Sequence, residues 1–329
     1  MGRLRLLVPD LQTLLRNRTR QQSLPLLDKL LNRAAMTRSG PCSRSQLLFN
    51  SFNWRKPQTC PAAALSMLAA GADPGSAVWL RADPVMLQAD LNRVYLVGYP
   101  LTDLSDQEAD QLVDGLQELF DDPAIKLIPV TANQWVLQLP AIPDCVFPDP
   151  DQARGGDLGE VLPRDSQFNY WRKLLNESQM LLHNHPLNRQ RQAAGLTVVN
   201  SLWFWGAGTL PDKGQAAPPD ILAGESELLR ALARLFSLSI LPLGELASAT
   251  GRQTSTLAEF STDPAATADQ NLLRLEQNWL APLINQLGRN RIQELALVTV
   301  TGHHFSLTPG RWKAFWRRHK PQPWFDMDS

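Results

Sequence analysis

The sequence predicts an α/β protein in which a mainly parallel sheet is covered by helices and a smaller α+β domain is inserted. Three observations lead to this prediction. A short apolar strand opens the chain, the middle has the order strand, strand, helix, strand, strand, and strands alternate with helices in the last third. Such alternation is typical of parallel strands joined by helical crossovers.

The outer domain is predicted from the two ends of the chain, residues 1–78 and 198–329. Residues 4–8 are apolar enough for a buried strand, and Pro25 opens a run of leucines at helical spacing. Polar stretches at 37–60 and 250–269 predict loops. Further strands are predicted at 197–205, 238–243 and 294–302, and helices at 62–71, 225–237, 269–288 and 310–320.

The inserted domain is predicted at residues 79–197 as an antiparallel sheet with helices. Ser105 and Glu108 have the spacing of a capping box, which predicts a helix over 108–120. A second helix is predicted over 170–185. The predicted strands are 77–82, 85–90, 93–98, 125–130 and 134–140.

The composition limits the classes of partner. Lys+Arg and Asp+Glu both count 32 in the 329 residues, so no overall charge attracts nucleic acid or an anionic membrane. A basic aromatic stretch at 311–320 is interpreted as an amphipathic helix end rather than a nucleic-acid patch. No apolar run approaches the roughly 18 residues of a membrane span.

The cysteines predict neither a disulfide framework nor a zinc site. There are three, Cys42, Cys60 and Cys145, far apart and without a CxxC pair. The first twenty residues lack the apolar core of a signal peptide. A cytoplasmic location is therefore expected.

Polar side chains are dense at residues 183–208, HNHPLNRQRQAAGLTVVNSLWFWGAG. His185, Asn188 and Arg191 could hold a phosphate or carboxylate, with Arg191 as a bidentate partner. The alternative is a helix end whose side chains tie a loop to the sheet, and Pro186 favours it. Gly206 and Gly208 could let the backbone approach a phosphate, or form a tight turn.

Trp203 and Trp205 are two residues apart, so on a strand they share one face. Packing in a core or a domain interface is the favoured role, and stacking on a ligand is the alternative. Aromatic residues alone therefore do not define a pocket here.

The same stretch resembles a segment of the archaeal-type, cofactor-independent phosphoglycerate mutases of the alkaline phosphatase superfamily. The matching residues are His185-Pro186-Leu187-Asn188, Arg191, Gly195, Asn200, Trp203, Trp205, Gly206 and Gly208. Residues 79–85 and 176–182 resemble a bacterial branch of pathogenicity-factor regulatory proteins. The resemblance implies an alkaline-phosphatase-like fold and a phosphorylated ligand, with Asn200, Gly206 and Gly208 among the binding residues.

The resemblance also implies roles for residues elsewhere in the chain. Asp10 falls where the family has its first metal-binding Asp, and Cys60 falls at the nucleophilic Ser. Arg81 falls in the segment that supplies a substrate-binding Arg, and His304 in the final metal-binding Asp-His pair. Asp10 and His304 are thus candidate remnants of a metal site, and Cys60 is a candidate nucleophile.

Departures from the family pattern argue against two-metal chemistry. Cys60-Pro61 stands where Ser-Asp is expected, Gly98-Tyr99-Pro100 replaces an Asp-Arg pair, and His303 replaces the final Asp. Residues 258–271 contain no histidine. Since two divalent ions need a cluster of carboxylates and histidines, no metal cofactor is expected.

The leading hypothesis is a non-catalytic relative of these mutases with a regulatory or binding role. It would keep a phosphate-ligand pocket lined by Arg81, His185, Asn188 and Arg191, and bind a phosphorylated small molecule or a protein partner. The alternative is a phosphomutase or phosphohydrolase whose rearranged metal-dependent site uses Asp10, Cys60 and His304. A third possibility is a structural adaptor without a small ligand.

Overall fold

The computed structural model describes residues 2–19, 22–56, 58–154, 156–251 and 253–313. It divides the chain into two compact units. Unit 1 combines Met1–Lys56 with Gln215–Ser329, and unit 2 is the continuous segment Pro57–Gly214. The predicted basic aromatic stretch lies outside the described residues beyond position 313.

Unit 1 contains a six-stranded sheet. Its strands are β1 (Arg3–Leu7), β2 (Ala35–Arg38), β8 (Ile221–Ala223), β9 (Ser255–Glu259), β10 (Glu294–Val298) and β11 (His303–Leu307). Their order across the sheet is β2-β11-β10-β1-β9-β8. Neighbours from β10 to β8 are parallel, whereas β11 and β2 pair antiparallel. The predicted mainly parallel α/β sheet is confirmed.

Helices cover this sheet. They are α1 (Leu11–Arg16), α2 (Pro25–Arg33), α3 (Arg44–Asn50), α10 (Glu227–Phe236), α11 (Leu243–Ala249), α12 (Ala268–Arg274), α13 (Ala281–Gly288) and α14 (Pro309–Lys313). A π-helical segment, Leu275–Leu280, joins α12 to α13. On one face Leu4 and Leu6 pack with leucines of α2 and α13. On the other face Arg5 donates to the carbonyl of Ser51, just after α3.

Unit 2 contains a five-stranded sheet. Its strands are β3 (Val78–Asp90), β4 (Arg93–Gly98), β5 (Lys126–Thr131), β6 (Gln134–Leu139) and β7 (Ser201–Gly208), and every pairing is antiparallel. Its helices are α4 (Ala62–Ala70), α5 (Asp106–Gln117), α6 (Pro150–Ala153), α7 (Leu158–Val161), α8 (Asn169–Asn184) and α9 (Pro186–Ala193). The Ser105–Glu108 capping box forms at the start of α5 as predicted. The inserted α+β architecture is therefore present.

The strand β3 corrects the prediction of two short strands separated at Pro84. Residues 78–81 pair with β6 and residues 86–90 pair with β4, so Pro84 lies between these two partners. Its other neighbour is β7, where Pro84 stands opposite Leu202. Because proline lacks an N–H, a position with one unpaired side tolerates it.

The strand β7 also corrects a prediction. The segment 197–205 was expected in the large sheet, but β7 pairs with β3 in unit 2. The unit boundaries at Pro57 and Gly214 accordingly lie outside the predicted inserted segment 79–197. The physical reason is that α4 and β7, which flank that segment, both pack on β3.

Three further elements of unit 1 differ from the prediction. The polar stretches 37–60 and 250–269 contain α3 and β9 rather than only loops. Residues 238–243 form no strand, and only Ile240 bridges to Leu222. In their place the short strand β8 occupies the sheet edge.

The two arms of unit 1 meet where unit 2 is inserted. The N–H of Arg55 donates to the carbonyl of Gln215 at 2.7 Å, and that of Ala217 to the carbonyl of Phe52 at 3.1 Å. Asn53 Nδ2 donates to the carbonyl of Ala217 at 3.1 Å. The ends of both arms are thus held side by side within unit 1.

No helix in the described ranges combines the length and apolar character that crossing a bilayer requires.

Candidate functional site

Two carboxylates lie at the carboxyl ends of neighbouring parallel strands of unit 1. Asp10 follows β1, and Glu259 is the last residue of the neighbouring strand β9. Asp10 is partly exposed, and its Oδ2 accepts from the hydroxyl of Thr262 at 3.2 Å. Glu259 is only 1% exposed. Open parallel sheets bind ligands at this edge, so we take it as the first candidate site.

Arg44, in the first turn of α3, lies between these two carboxylates. Its Nε is 3.3 Å from Glu259 Oε1 and its Nη1 is 3.9 Å from Asp10 Oδ2. Its Nη2 donates to Ser261 Oγ at 2.9 Å. The remaining oxygen of Glu259 accepts from Ser226 Oγ. A buried carboxylate needs such partners, because an unpaired charge in the interior is strongly unfavourable.

The residues at this edge do not fit the two divalent ions that the resemblance implies. Both oxygens of Glu259 are engaged, and the single positive charge of Arg44 offsets one of the two carboxylate charges. Within the described part of the chain, no group of three or more His, Cys, Asp or Glu side chains could hold a metal ion. We therefore derive no catalytic step through a metal.

The adjacent histidines of β11 point to different partners. His303 is 3% exposed, and its Nδ1 lies 2.8 Å from Thr301 Oγ1. His304 Nε2 lies 3.3 Å from Ser39 Oγ. Burial, with the charge of Arg5, lowers the pKa of His304. His304 contacts Ser39 whereas Asp10 contacts Thr262, so the two side chains share no partner in these contacts. Their role as metal ligands stays a prediction.

A cavity of about 380 Å³ lies beside Glu259 in unit 1. Gly224, Ser261, Arg274 and Trp279 are among its lining residues. Arg274 Nη2 donates to the carbonyl of Ser261, and its guanidinium lies 5.0 Å from the ring centre of Phe260. Because this acceptor is a neutral main-chain carbonyl, it does not neutralise the positive charge that Arg274 brings to the lining of the cavity.

In unit 2, Arg191 forms the largest polar cluster of the 183–208 stretch. Its side chain is 1% exposed. Nε donates to the carbonyl of Thr197 at 2.8 Å, Nη1 to Glu108 Oε1 at 2.7 Å and Nη2 to Asp103 Oδ1 at 2.9 Å. The guanidinium thus ties α9 to the start of α5 and to the chain before β7.

The two carboxylates of this cluster have lowered pKa values. Burial alone would raise the pKa of Asp103, but hydrogen bonds from Thr197 and the charge of Arg191 outweigh it. Burial would likewise raise the pKa of Glu108, and hydrogen bonds from Ser105 and Arg191 outweigh it. Both carboxylates are therefore stabilised in their charged form.

The asparagines of the stretch also bond within unit 2. Asn188 Nδ2 donates to the carbonyls of Leu182 and Val199 at 2.7 and 2.6 Å, and its Oδ1 accepts from Val199 N at 2.9 Å. Asn200 pairs with both main-chain groups of Leu87. His185 caps α9, since its Nδ1 accepts from Leu187 N at 3.3 Å. Their ligand role stays a prediction, while these bonds give each a structural role.

Arg81 belongs to a buried network centred on Asp83. Its Nε and Nη2 donate to the two oxygens of Asp83 at 2.9 and 3.0 Å, and its Nη1 donates to Ser66 of α4. Asp83 is fully buried and also accepts from Trp205 Nε1 at 2.7 Å and Tyr99 Oη at 3.1 Å. Trp205 thus acts as a hydrogen-bond donor inside the unit.

Cys60 precedes α4 and is 3% exposed. Burial, together with the negative charge of Asp149, raises the pKa of its thiol well above the usual value. A thiolate needs a lowered pKa to act as a nucleophile at neutral pH. The environment of Cys60 is therefore the opposite of an activating one.

Gly206 and Gly208 bring β7 against the start of α4. Gly206 has φ +64°, and a Cβ there would lie 2.6 Å from Ala62 Cβ. A Cβ on Gly208 would lie 2.8 Å from Pro61 Cβ. Two residues of β7 stand against one of β3 at this point, which is the pattern of a glycine bulge. The glycines thus allow strand and helix to approach closely.

Comparison with known proteins shows similarity to 2,3-bisphosphoglycerate-independent phosphoglycerate mutases. The chain is 25% identical to that of Methanothrix thermoacetophila over 34% of its length, and 27% identical to that of Methanosarcina mazei over 41%. It is 26% identical to a probable mutase of Geobacter sulfurreducens over 47% of its length. The matched parts cover 28%, 35% and 40% of these relatives. No protein-family model matches the chain.

Two solved structures are also similar. The cofactor-independent phosphoglycerate mutase of Thermoplasma acidophilum gives a TM-score of 0.43 at 16% identity, covering 94% of this chain and 90% of that one. A Pyrococcus horikoshii protein gives 0.49 at 13% identity, covering 93% and 87%. The sequence matches confirm the resemblance to cofactor-independent phosphoglycerate mutases, and the regulatory branch stays a prediction.

Proposed function

We propose that this phosphoglycerate-mutase-like chain acts by binding a ligand rather than by metal-dependent phosphoryl transfer. The observation that supports this most is Arg44, whose guanidinium lies between Asp10 and Glu259. The guanidinium would repel a divalent ion at this edge by about 4 kcal/mol per pair of unit charges at 4 Å near a protein surface, which offsets the attraction of one of the carboxylates. In this proposal the Arg44 guanidinium, rather than a bound metal ion, supplies the positive charge beside the two carboxylates.

The ligand we propose is a phosphorylated small acid bound at the carboxyl edge of the unit 1 sheet. The cavity beside Glu259 offers Arg274 and the Ser261 hydroxyl as donors. Arg44 pairs with Glu259, and Arg274 donates to a main-chain carbonyl, so the guanidinium of Arg274 has further donors for an anion although Glu225 also lines the cavity. Arg81, Asn188, Arg191 and Asn200 serve in this proposal as structural residues of unit 2.

The first test measures catalysis and metal together. The purified chain, incubated with Mn²⁺ and then desalted, should retain no stoichiometric metal by elemental analysis. It should show no mutase turnover of 3-phosphoglycerate and no hydrolysis of p-nitrophenyl phosphate. Manganese-dependent turnover that disappears in Asp10→Asn would refute the proposal and favour the metal-dependent alternative.

The second test measures binding by thermal shift against 2- and 3-phosphoglycerate and phosphoenolpyruvate. A ligand that binds only the folded chain raises its melting temperature. We expect Arg274→Gln to abolish the shift, and Arg289→Gln, an exposed arginine of unit 1 outside the cavity, to keep it. An adaptor without a small ligand would show no shift in any of the three proteins.

A further inference from the structure

Unit 2 holds a separate cleft of about 550 Å³, bordered by strands β3, β4 and β7 and by helices α7 and α8. Its size is within the range of about 300 to 1,000 Å³ that is typical of small-molecule sites. None of its lining residues belongs to the carboxyl-edge site of unit 1.

The floor of the cleft is apolar. Leu158, Leu175 and Trp203 are 5%, 6% and 1% exposed, and Leu87 and Leu162 are half-buried beside them. The only polar atom of the Trp203 ring, Nε1, already donates to the carbonyl of Pro148 at 3.0 Å. The floor therefore offers an apolar chain or ring a surface without unmet hydrogen bonds.

Two arginines give the cleft a positive rim. Arg164 Nη2 donates to the carbonyl of Gly159 at 3.0 Å. Arg172 Nη1 donates to Asn169 Oδ1 at 2.6 Å, and its Nη2 to the carbonyl of Pro163. These acceptors are neutral oxygens, so neither charge is neutralised by them. A guanidinium has five N–H donors, and both retain donors for a ligand.

We propose that this cleft binds a small amphipathic anion. The apolar chain would lie on the leucine and tryptophan floor, and its carboxylate or phosphate would accept from Arg164 and Arg172. The exposed amides of Asn176 and Gln179, also in the lining, add neutral donors near the head group. This proposal is independent of the proposed function, because it concerns other residues and another unit.

The experiment compares four ligands with the same tail: octanoate, octyl phosphate, octan-1-ol and octylamine. Isothermal titration of the full chain, at concentrations below micelle formation, should show binding of both anions. Losing a charge-assisted hydrogen bond costs about tenfold or more, so octan-1-ol should bind at least that much more weakly. The ratio of octanoate to octyl phosphate affinity identifies the preferred head group.

Variants then assign the binding to the cleft. Arg164→Gln and Arg172→Gln should each raise the Kd for octanoate about tenfold and leave that for octan-1-ol unchanged. Arg164→Gln is the safer variant, because Arg172 also lies over the ring of Phe168. The matched control is Arg189→Gln, an exposed arginine of unit 2 outside the cleft with one main-chain acceptor, and it should bind octanoate normally.

Three outcomes of the titrations would overturn the proposal. They are equal affinity for octanoate and octan-1-ol, no binding of either anion, and an equal loss in Arg189→Gln. Sedimentation with phosphatidylglycerol vesicles separates a lipid-surface interaction from this site. Binding to the vesicles without binding to monomeric octyl phosphate also rejects the proposal.

Discussion

Arg44 and Glu259 depend on each other, because a buried carboxylate is stable only with a partner. Glu259 is 1% exposed and holds Arg44 Nε and Ser226 Oγ on its two oxygens. Arg44 belongs to the stretch 37–60 and Glu259 to the stretch 250–269, and both stretches were predicted as loops. The signal that would have placed Arg44 is the Ser43-x-x-Gln46 spacing, which caps α3.

We predict that Arg44→Met lowers the free energy of unfolding at pH 7 by about 3 kcal/mol, since it leaves Glu259 buried without its cation. The double variant Arg44→Met/Glu259→Gln should recover part of that loss. Urea unfolding of the wild type, both single variants and the double variant gives the coupling directly. Additive effects would mean that the 3.3 Å contact contributes nothing.

Gly206 permits a close approach of backbone to helix that no other residue allows. We predict that Gly206→Ala destabilises the chain by about 2 to 4 kcal/mol, combining the left-handed φ with the clash against Ala62. Gly195→Ala is the matched control, because Gly195 has φ +72° and open space around it. It should cost only about 1 to 2 kcal/mol, the conformational part. Equal losses in thermal unfolding would disprove the clash.

At the scale of elements, local signals predicted the helices α2, α4, α5, α8 and α10 and the capping box of α5. The Ser105–Glu108 capping box forms at the start of α5, and the leucine run forms α2. The predicted long helix begins at Ala268 with α12. Two of the strands that were missed, β8 and β9, have little local signal. β9 has only two apolar residues in five, and β8 has three residues in all. Both are held by parallel neighbours that are distant in sequence.

The polar cluster of Arg191, Asp103 and Glu108 connects α9 to the start of α5, and it should make the stability of unit 2 depend on pH. We predict that Arg191→Met costs about 2 kcal/mol at pH 7, with water screening part of the charge interaction. Folding lowers the pKa of Asp103 and Glu108, whose ordinary values are 3.8 and 4.5. Their contribution is thus complete above those values and is lost as pH falls through the lowered ones.

The measurement is urea unfolding of the wild type and Arg191→Met between pH 7 and pH 3. The two should converge as the carboxylates protonate, and Arg189→Met, with an exposed side chain, should follow the wild type throughout. A difference that stays constant down to pH 3 would show that packing rather than charge explains the cost.

For the whole molecule, the sequence predicted two domains and their nesting, since the first strand had to find its partners in the last third. It placed β7 in the outer sheet because the run after Asn200 alternates like any other strand. Which sheet a strand joins is decided by long-range pairing, here with β3. The sequence favoured a structural role for Asn188 and Arg191, but their particular partners, such as Val199 and Asp103, could not be predicted because they depend on long-range packing.

Unit 2 has a core of its own, with Trp135, Phe168 and Leu202 among its buried residues. Every strand of its sheet lies between Pro57 and Gly214. We therefore predict that a fragment of residues 57–214 unfolds cooperatively in urea. A fragment without a cooperative transition, while the full chain shows one, would contradict this.

The main-chain hydrogen bond between Arg55 and Gln215 is 2.7 Å long and holds together the two positions where the chain leaves unit 1 and returns to it. A short turn could therefore bridge Lys56 and Gln215 without parting any strand of the larger sheet. We expect replacement of residues 57–214 by such a turn to keep the strand pairings of unit 1, which makes this junction a natural position for exchanging inserted domains.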